Sequence, residues 1–117
     1  MFDTFNGYYR GKRVMVTGHT GFKGSWLAIW LHHLGAKVTG YSLEPPTAPS
    51  VFVVSNLARH VLDIRADVRD FDCLDRAIRE HRPEIIFHLA AQPLVRTSFS
   101  EPRFTFDVNL LGTVNVL

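Results

Sequence analysis

Cysteine is almost missing from this chain: Cys73 is the only one in 117 residues. One thiol cannot close a disulfide within the chain, and such scarcity fits a reducing compartment. Cys73 falls in a stretch with amphipathic helical spacing, where packing is its expected role. No apolar run approaches the roughly 20 residues of a membrane span, so no membrane partner is expected. The N-terminus is polar and aromatic, not basic and then apolar, so no secretory leader is expected and the cytoplasm is the expected location. Neither sign of charge dominates: 13 Lys and Arg against 11 Asp and Glu leave a net charge of +2. The densest basic run, Arg10 to Arg13, is too short to mark a nucleic-acid surface, so no nucleic-acid partner is expected. The six histidines are scattered without ligand spacing, which argues against a metal site. There is no nucleophile–base constellation.

What remains is an ordinary globular balance, 46% apolar and 21% charged, in a length that allows one domain at most. Its sharpest feature is Thr17-Gly-His-Thr-Gly-Phe-Lys-Gly24, directly behind the apolar run from Arg13. This reads as a strand, a glycine turn and a helix start. Gly18 permits a sharp turn at positive φ. Gly21 leaves the backbone N–H groups of the helix start open to a phosphate. Gly24 allows close helix–strand packing. Free N–H groups and the helix dipole make an anion site, and a second strand after the helix gives the context of a dinucleotide pyrophosphate loop.

Periodicity predicts strands at Arg13–Thr17, Lys37–Ser42, Val61–Ile64 and Glu84–Leu89. The first helix, Phe22–Leu34, is apolar nearly all round and is expected to be largely buried, with Gly35 ending it. The proline-rich stretch from Leu43 to Ser50 is expected to be irregular, with a short helix over Val51–Ala58. Asp70 or Asp72 is expected to cap the next helix, which ends before Pro83 and sets Phe71, Leu74 and Ile78 on one face. A loop from Ala90 leads to a last helix starting near Pro102. Strands joined by helical crossovers predict an α/β fold with a parallel, doubly wound sheet, whose ligands sit at the carboxyl ends of the strands. The last helix meets no glycine, cap or polar tail before Leu117. The expectation is therefore that residues 1–117 are the front portion of a larger nucleotide-binding domain, with an incomplete sheet and no substrate domain.

Gly11 to Trp26, with its TGHTGFKGSW core, resembles the opening of an extended short-chain dehydrogenase/reductase. The segments Gly40 to Thr47 (GYSLEPPT), Asp67 to Asp70 (DVRD), Phe87 to Arg96 (FHLAAQPLVR) and Asn109 to Leu117 (NLLGTVNVL) are most similar to the CDP-glucose 4,6-dehydratases within that superfamily. The resemblance covers essentially the whole chain. It implies a Rossmann-type fold and an NAD-dependent lyase of nucleotide-sugar metabolism, with CDP-glucose as substrate and a homodimeric full-length protein. Another sugar-nucleotide dehydratase or epimerase, or a non-catalytic NAD-binding module, are the alternatives.

Carried over by position, the resemblance implies that Thr17, Gly18, Thr20, Gly21, Phe22, Lys23 and Gly24 hold the pyrophosphate. His19 and Lys23 also read as surface residues of the loop. Ser42 stands where many NAD enzymes carry an acid for the ribose, with Glu44 a little late. Asp67 and Val68 match the pair beside the adenine, in preference to Asp63-Ile64. Leu89, Ala90, Ala91 and Gln92 flank the nicotinamide side, and Asn109 supports the site backbone. Gln92, Arg96 and Ser98 lie where related dehydratases approach the sugar nucleotide. His88 reads as a satisfied core histidine. Tyr8 and Lys12 have the spacing of the superfamily's Tyr-x-x-x-Lys pair, but Tyr8, Tyr9 and Tyr41 all precede the fourth strand, the wrong part of the fold for it. No catalytic residue is therefore assigned, and the chain is expected to be inactive by itself.

Overall fold

The structure, a computed structural model, describes residues 4–117. Four strands, β1 (Arg13–Thr17), β2 (Lys37–Ser42), β3 (Leu62–Arg65) and β4 (Ile85–His88), form one parallel sheet in the order β3-β2-β1-β4. β1 is central: Val14 lies opposite both Val38 and Ile85, and Thr17 opposite both Tyr41 and His88. Its residues Val14 to Thr17 are buried because neighbours flank them on both sides and helices cover both faces.

Helix α1 (Phe22–His33) crosses one face and α2 (Val51–Val54) follows β2. α1 ends in a Schellman arrangement: Gly35 sits at φ 87°, its N–H donates to the carbonyl of His32, and the Ala36 N–H donates to that of Leu31. Val14, Val16, Ala28, Leu31, Val38, Phe52 and Leu57 fill this layer. The other face carries α3 (Phe71–His81) and α6 (Gly112–Val116); α4 (Val95–Ser100) packs against α5 (Pro102–Phe106), which a π turn at Asp107–Leu111 joins to α6. Met15, Tyr41, Val68, Leu74 and Ala77 fill the second layer.

The α/β parallel architecture agrees with the expectation from periodicity, and β1 and β2 begin and end where it placed them. Other details differ. α1 is not largely buried: Gly24, Ser25, Ala28 and Leu31 face the sheet, but Phe22, Trp26 and Trp30 are 70%, 55% and 46% exposed. An all-round apolar helix can turn only one face to one sheet, and on the outer side Trp30 meets the Phe5 ring, 5.7 Å between centroids, while remaining half exposed. The helix expected over Val51–Ala58 breaks at Asn56, which adopts φ 56°, and resumes as a 3-10 turn at Leu57–Arg59. Asparagine tolerates the left-handed region better than most residues. Asp70, not Asp72, caps α3, its carboxylate accepting from the Cys73 N–H at 3.1 Å. Leu74 is buried as expected but Phe71, at the first position of α3, is 54% exposed. β4 is half-buried throughout, not fully covered, because it is the sheet's edge strand. α4 occupies part of what reads as a loop.

Candidate functional site

The carboxyl ends of the four strands meet along one edge of the sheet, and the glycine loop crosses it. Gly18 turns at φ 81°; a Cβ there would stand 2.8 Å from the Ala90 nitrogen and 2.9 Å from the Leu89 carbonyl carbon. At Gly24 a Cβ would stand 1.9 Å from the Gly18 carbonyl oxygen. The protein's own packing thus requires both glycines. Gly21 differs. Its φ is −79°, and a Cβ would meet only the Gly18 oxygen, at an ordinary 3.4 Å. Neither backbone strain nor protein packing demands glycine at 21. The space beside it is open, and Gly21 caps α1 without any side-chain hydrogen bond. The first-turn N–H groups of an α-helix have no intrahelical acceptors. With the helix dipole they form a cradle suited to an anion such as a pyrophosphate. Phe22 and Lys23 lie exposed on that first turn.

Behind the loop runs a hydrogen-bonded wire. Thr17 Oγ1 accepts from the N–H groups of Leu89 and Ala90 at 3.0 and 3.1 Å. It lies 2.6 Å from His88 Nδ1, and its one proton goes there. His88 then carries its proton on Nε2 and donates to Thr113 Oγ1 at 3.0 Å. Thr113 donates to the Asn109 carbonyl at 2.6 Å. Each hydroxyl spends its single proton in turn. Burial lowers the His88 pKa, which keeps the ring neutral as the wire requires. Asn109, inside the π turn, also clamps the backbone of Gln92: its Oδ1 accepts from the Gln92 N–H at 2.7 Å and its Nδ2 donates to the Gln92 carbonyl at 3.1 Å. π turns recur at functional sites.

His19 is the residue that sequence reasoning misplaced. It is not on the surface but fully buried. Its ring lies where a Cβ on Gly40 would be, 2.2 Å from that position, and edge-on to Phe52. Nε2 hydrogen-bonds Asp63 Oδ1 at 2.7 Å, while buried Nδ1 has no partner among the described residues. Desolvation lowers the His19 pKa despite Asp63. The neutral ring donates from Nε2 and leaves only a bare lone pair on Nδ1. The signal was present in the sequence: a glycine inside a strand marks close approach by another group.

At the end of β2, Thr20 donates to the Leu43 carbonyl at 2.8 Å and lies 2.8 Å from Ser42 Oγ. Thr20 is buried, so its hydroxyl shapes the loop from inside. Beyond β3, the Asp67 carboxylate is gripped by the Arg69 backbone N–H and guanidinium. The Arg69 hydrogen bonds hold its carboxyl below the usual range. The Asp67 carbonyl accepts from Tyr41 Oη at 2.8 Å. Val68 is buried against Gly112. The Gln92 side chain is committed internally, to Leu94 and Thr105. Ala91 is exposed. Arg96 is exposed on α4, where the Ser98 hydroxyl turns back to the Val95 carbonyl. A cavity of about 670 Å³ beside α1 is lined by Lys23, Trp26, Leu27, Ile29, Trp30, His33 and Leu89. No group of three or more metal-ligating side chains occurs among the described residues, and no helix there is long and apolar enough to cross a membrane.

Residues 15–117 match the family model described as GDP-mannose 4,6 dehydratase. The CDP-glucose 4,6-dehydratase of Salmonella typhimurium is 52% identical over 110 residues, covering 94% of this chain and 31% of that protein. The UDP-glucose 4-epimerase of Mycolicibacterium smegmatis is 38% identical, covering 89% of this chain and 33% of that protein. Among solved structures, the complex of the Thermus thermophilus UDP-glucose 4-epimerase with NAD superposes with a TM-score of 0.78 at 37% identity, covering 88% of this chain and 32% of that one. The chain thus spans about a third of the length of the curated relatives it matches.

Proposed function

The chain belongs to the GDP-mannose 4,6-dehydratase family, and from that premise we propose that residues 1–117 are the NAD-holding front portion of a sugar-nucleotide 4,6-dehydratase that acts on CDP-glucose. The observation that carries the reading is Gly21, a glycine that the protein's own packing does not require, at the uncapped start of α1. The 52% identity to a CDP-glucose 4,6-dehydratase supports the choice of substrate, and the NAD-bound epimerase that superposes supports the cofactor.

In this reading the pyrophosphate lies on the N–H groups that open α1, between Gly18 and Gly24, and Lys23 adds positive charge. Thr17 fixes the backbone of Leu89 and Ala90, and Asn109 that of Gln92, so the floor beside the nicotinamide ribose is rigid before the cofactor arrives. Asp67 and Val68 line the adenine end. Arg96 and Ser98 on α4 face the sugar nucleotide. When bound, NAD supplies a reversible hydride store, so that water can leave the hexose without net oxidation. Its one Tyr-x-x-x-Lys spacing, Tyr8 to Lys12, precedes β1 at the amino end of the sheet, opposite the glycine loop, so the chain contributes binding rather than proton transfer. The complete protein is a homodimer of the cytoplasm.

The test pairs calorimetric titration of the 117-residue chain with NAD and mass spectrometry of CDP-glucose incubated with it. NAD binding with no water lost from the sugar nucleotide is the expected result, and a longer polypeptide that carries a Tyr-x-x-x-Lys pair after β4 is expected to release one water per CDP-glucose. Failure to bind NAD rejects the cofactor reading. Interconversion of UDP-glucose with its 4-epimer, without water loss, would move the longer polypeptide to the epimerases, a reading favoured by the 38% identity to one of them.

A further inference from the structure

The end of β2 poses an electrostatic problem. Many NAD sites hold the adenosine ribose with a carboxylate there, which also repels the extra phosphate of NADP. This chain has Ser42 instead. A proton count shows what Ser42 can do. Thr20 has one hydroxyl proton and gives it to the Leu43 carbonyl. Ser42, 2.8 Å away, therefore donates to Thr20 and keeps a free lone pair. It can accept from a ribose hydroxyl as a carboxylate would, but it carries no charge to repel a phosphate.

The cation beside it makes the problem worse. Arg65 is the register partner of Ser42 on β3. Strand alternation puts Gly40 and Ser42 on the face of β2 that holds His19, and Asp63 and Arg65 on the matching face of β3. An arginine at this corner is the usual ligand of a 2′-phosphate. Here it is already taken. Its Nε donates to Asp63 Oδ1 at 2.9 Å, another guanidinium N–H donates to Glu44 Oε2, and the plane lies 4.8 Å over the Phe52 ring. Asp63 is itself held from behind by buried His19. Two carboxylates around one guanidinium, backed by a neutral imidazole, leave a net negative charge.

We propose that Glu44, clamped by Arg65, replaces the missing carboxylate of β2 and makes this site select NAD over a dinucleotide with a 2′-phosphate. Ser42 supplies the hydrogen bond and Glu44 the charge, two tasks that one acidic residue performs elsewhere. The inference rests on the dinucleotide reading above and deepens it. The Arg65 pKa is raised by its hydrogen bond to Asp63, which keeps the cation in place for both acids.

The test is calorimetric titration of the protein with NAD and with NADP, before and after Glu44→Gln. Glu44 is 78% exposed, so the substitution leaves the fold intact. The native chain is expected to prefer NAD, and E44Q to tighten NADP by about tenfold, the scale of one gained charge-assisted contact, with NAD affinity nearly unchanged. Adding Arg65→Met to E44Q is expected to remove the gain. Raising the salt is expected to shrink the native preference, since a repulsion at the surface is screened. A ratio of affinities unmoved by E44Q, or a native chain indifferent to the 2′-phosphate, overturns the proposal while leaving the dinucleotide site standing. If neither dinucleotide binds the native chain, the cofactor reading falls and this inference falls with it.

Discussion

Gly18, Gly21 and Gly24 serve different masters, and substitution separates them. Gly24→Ala drives a Cβ to 1.9 Å from the Gly18 oxygen, so the loop and α1 must part. A cost of about 3 kcal/mol or more is expected, as for severe overpacking, read as a lower denaturant midpoint. Gly21→Ala meets no obstacle within the protein and is expected to melt within a few degrees of the native chain. It is also expected to weaken NAD by about tenfold or more, since a methyl group now stands in the anion cradle. Loss of the fold in Gly21→Ala, or unchanged NAD affinity, contradicts the division of roles. The glycine spacing was legible in the sequence because βα turns of this kind obey a fixed pattern. Gly40 was harder to interpret. An isolated glycine in a strand announces a neighbour without saying which, and His19 reaches it from a different segment.

At the scale of elements, periodicity found what local chemistry decides. β1 and β2 are short apolar runs, α1 is an apolar run stopped by Gly35, and α3 has an apolar face and the Asp70 cap. α4 was invisible because Val95–Ser100 is short, uncapped by a side chain and rich in Ser and Thr. The π turn at Asp107–Leu111 has no local signature either. It lies just before Gly112, whose Cβ position is 2.8 Å from Val68, and beside the Asn109–Gln92 clamp, both tertiary contacts. The wire that joins β1, β4 and α6 is likewise a product of the fold. Thr17→Val keeps the shape of Thr17 but deprives the Ala90 N–H and His88 of their partner, while the Leu89 N–H keeps the Thr17 carbonyl. A loss of about 2 to 4 kcal/mol is expected, with faster hydrogen exchange at Ala90. A change below about 0.5 kcal/mol would mean that the wire contributes little.

Across the whole molecule, acid should loosen the fold. Burial lowers the His19 and His88 pKa values below the ordinary 6.5. The unfolded chain therefore takes up protons near that pH while the folded one resists. Stability is flat with respect to these two groups above about pH 6.5 and falls as the pH drops below it, because the unfolded state then binds more protons. The melting temperature is expected to be lower at about pH 5.5 than at about pH 7.5, and His19→Gln to flatten that slope. A melting temperature that holds or rises in acid contradicts both buried-imidazole assignments. The wire through His88 also has a meaning as information. Its polarity is pinned at both ends, by the amides of Leu89 and Ala90 and by the carbonyl of Asn109. Of the proton arrangements that two hydroxyls and an imidazole could write, a single word is spelled correctly. Position 88 is therefore the letter on which the other two depend: losing its ring strands both hydroxyls, whereas losing either hydroxyl strands one ring nitrogen alone.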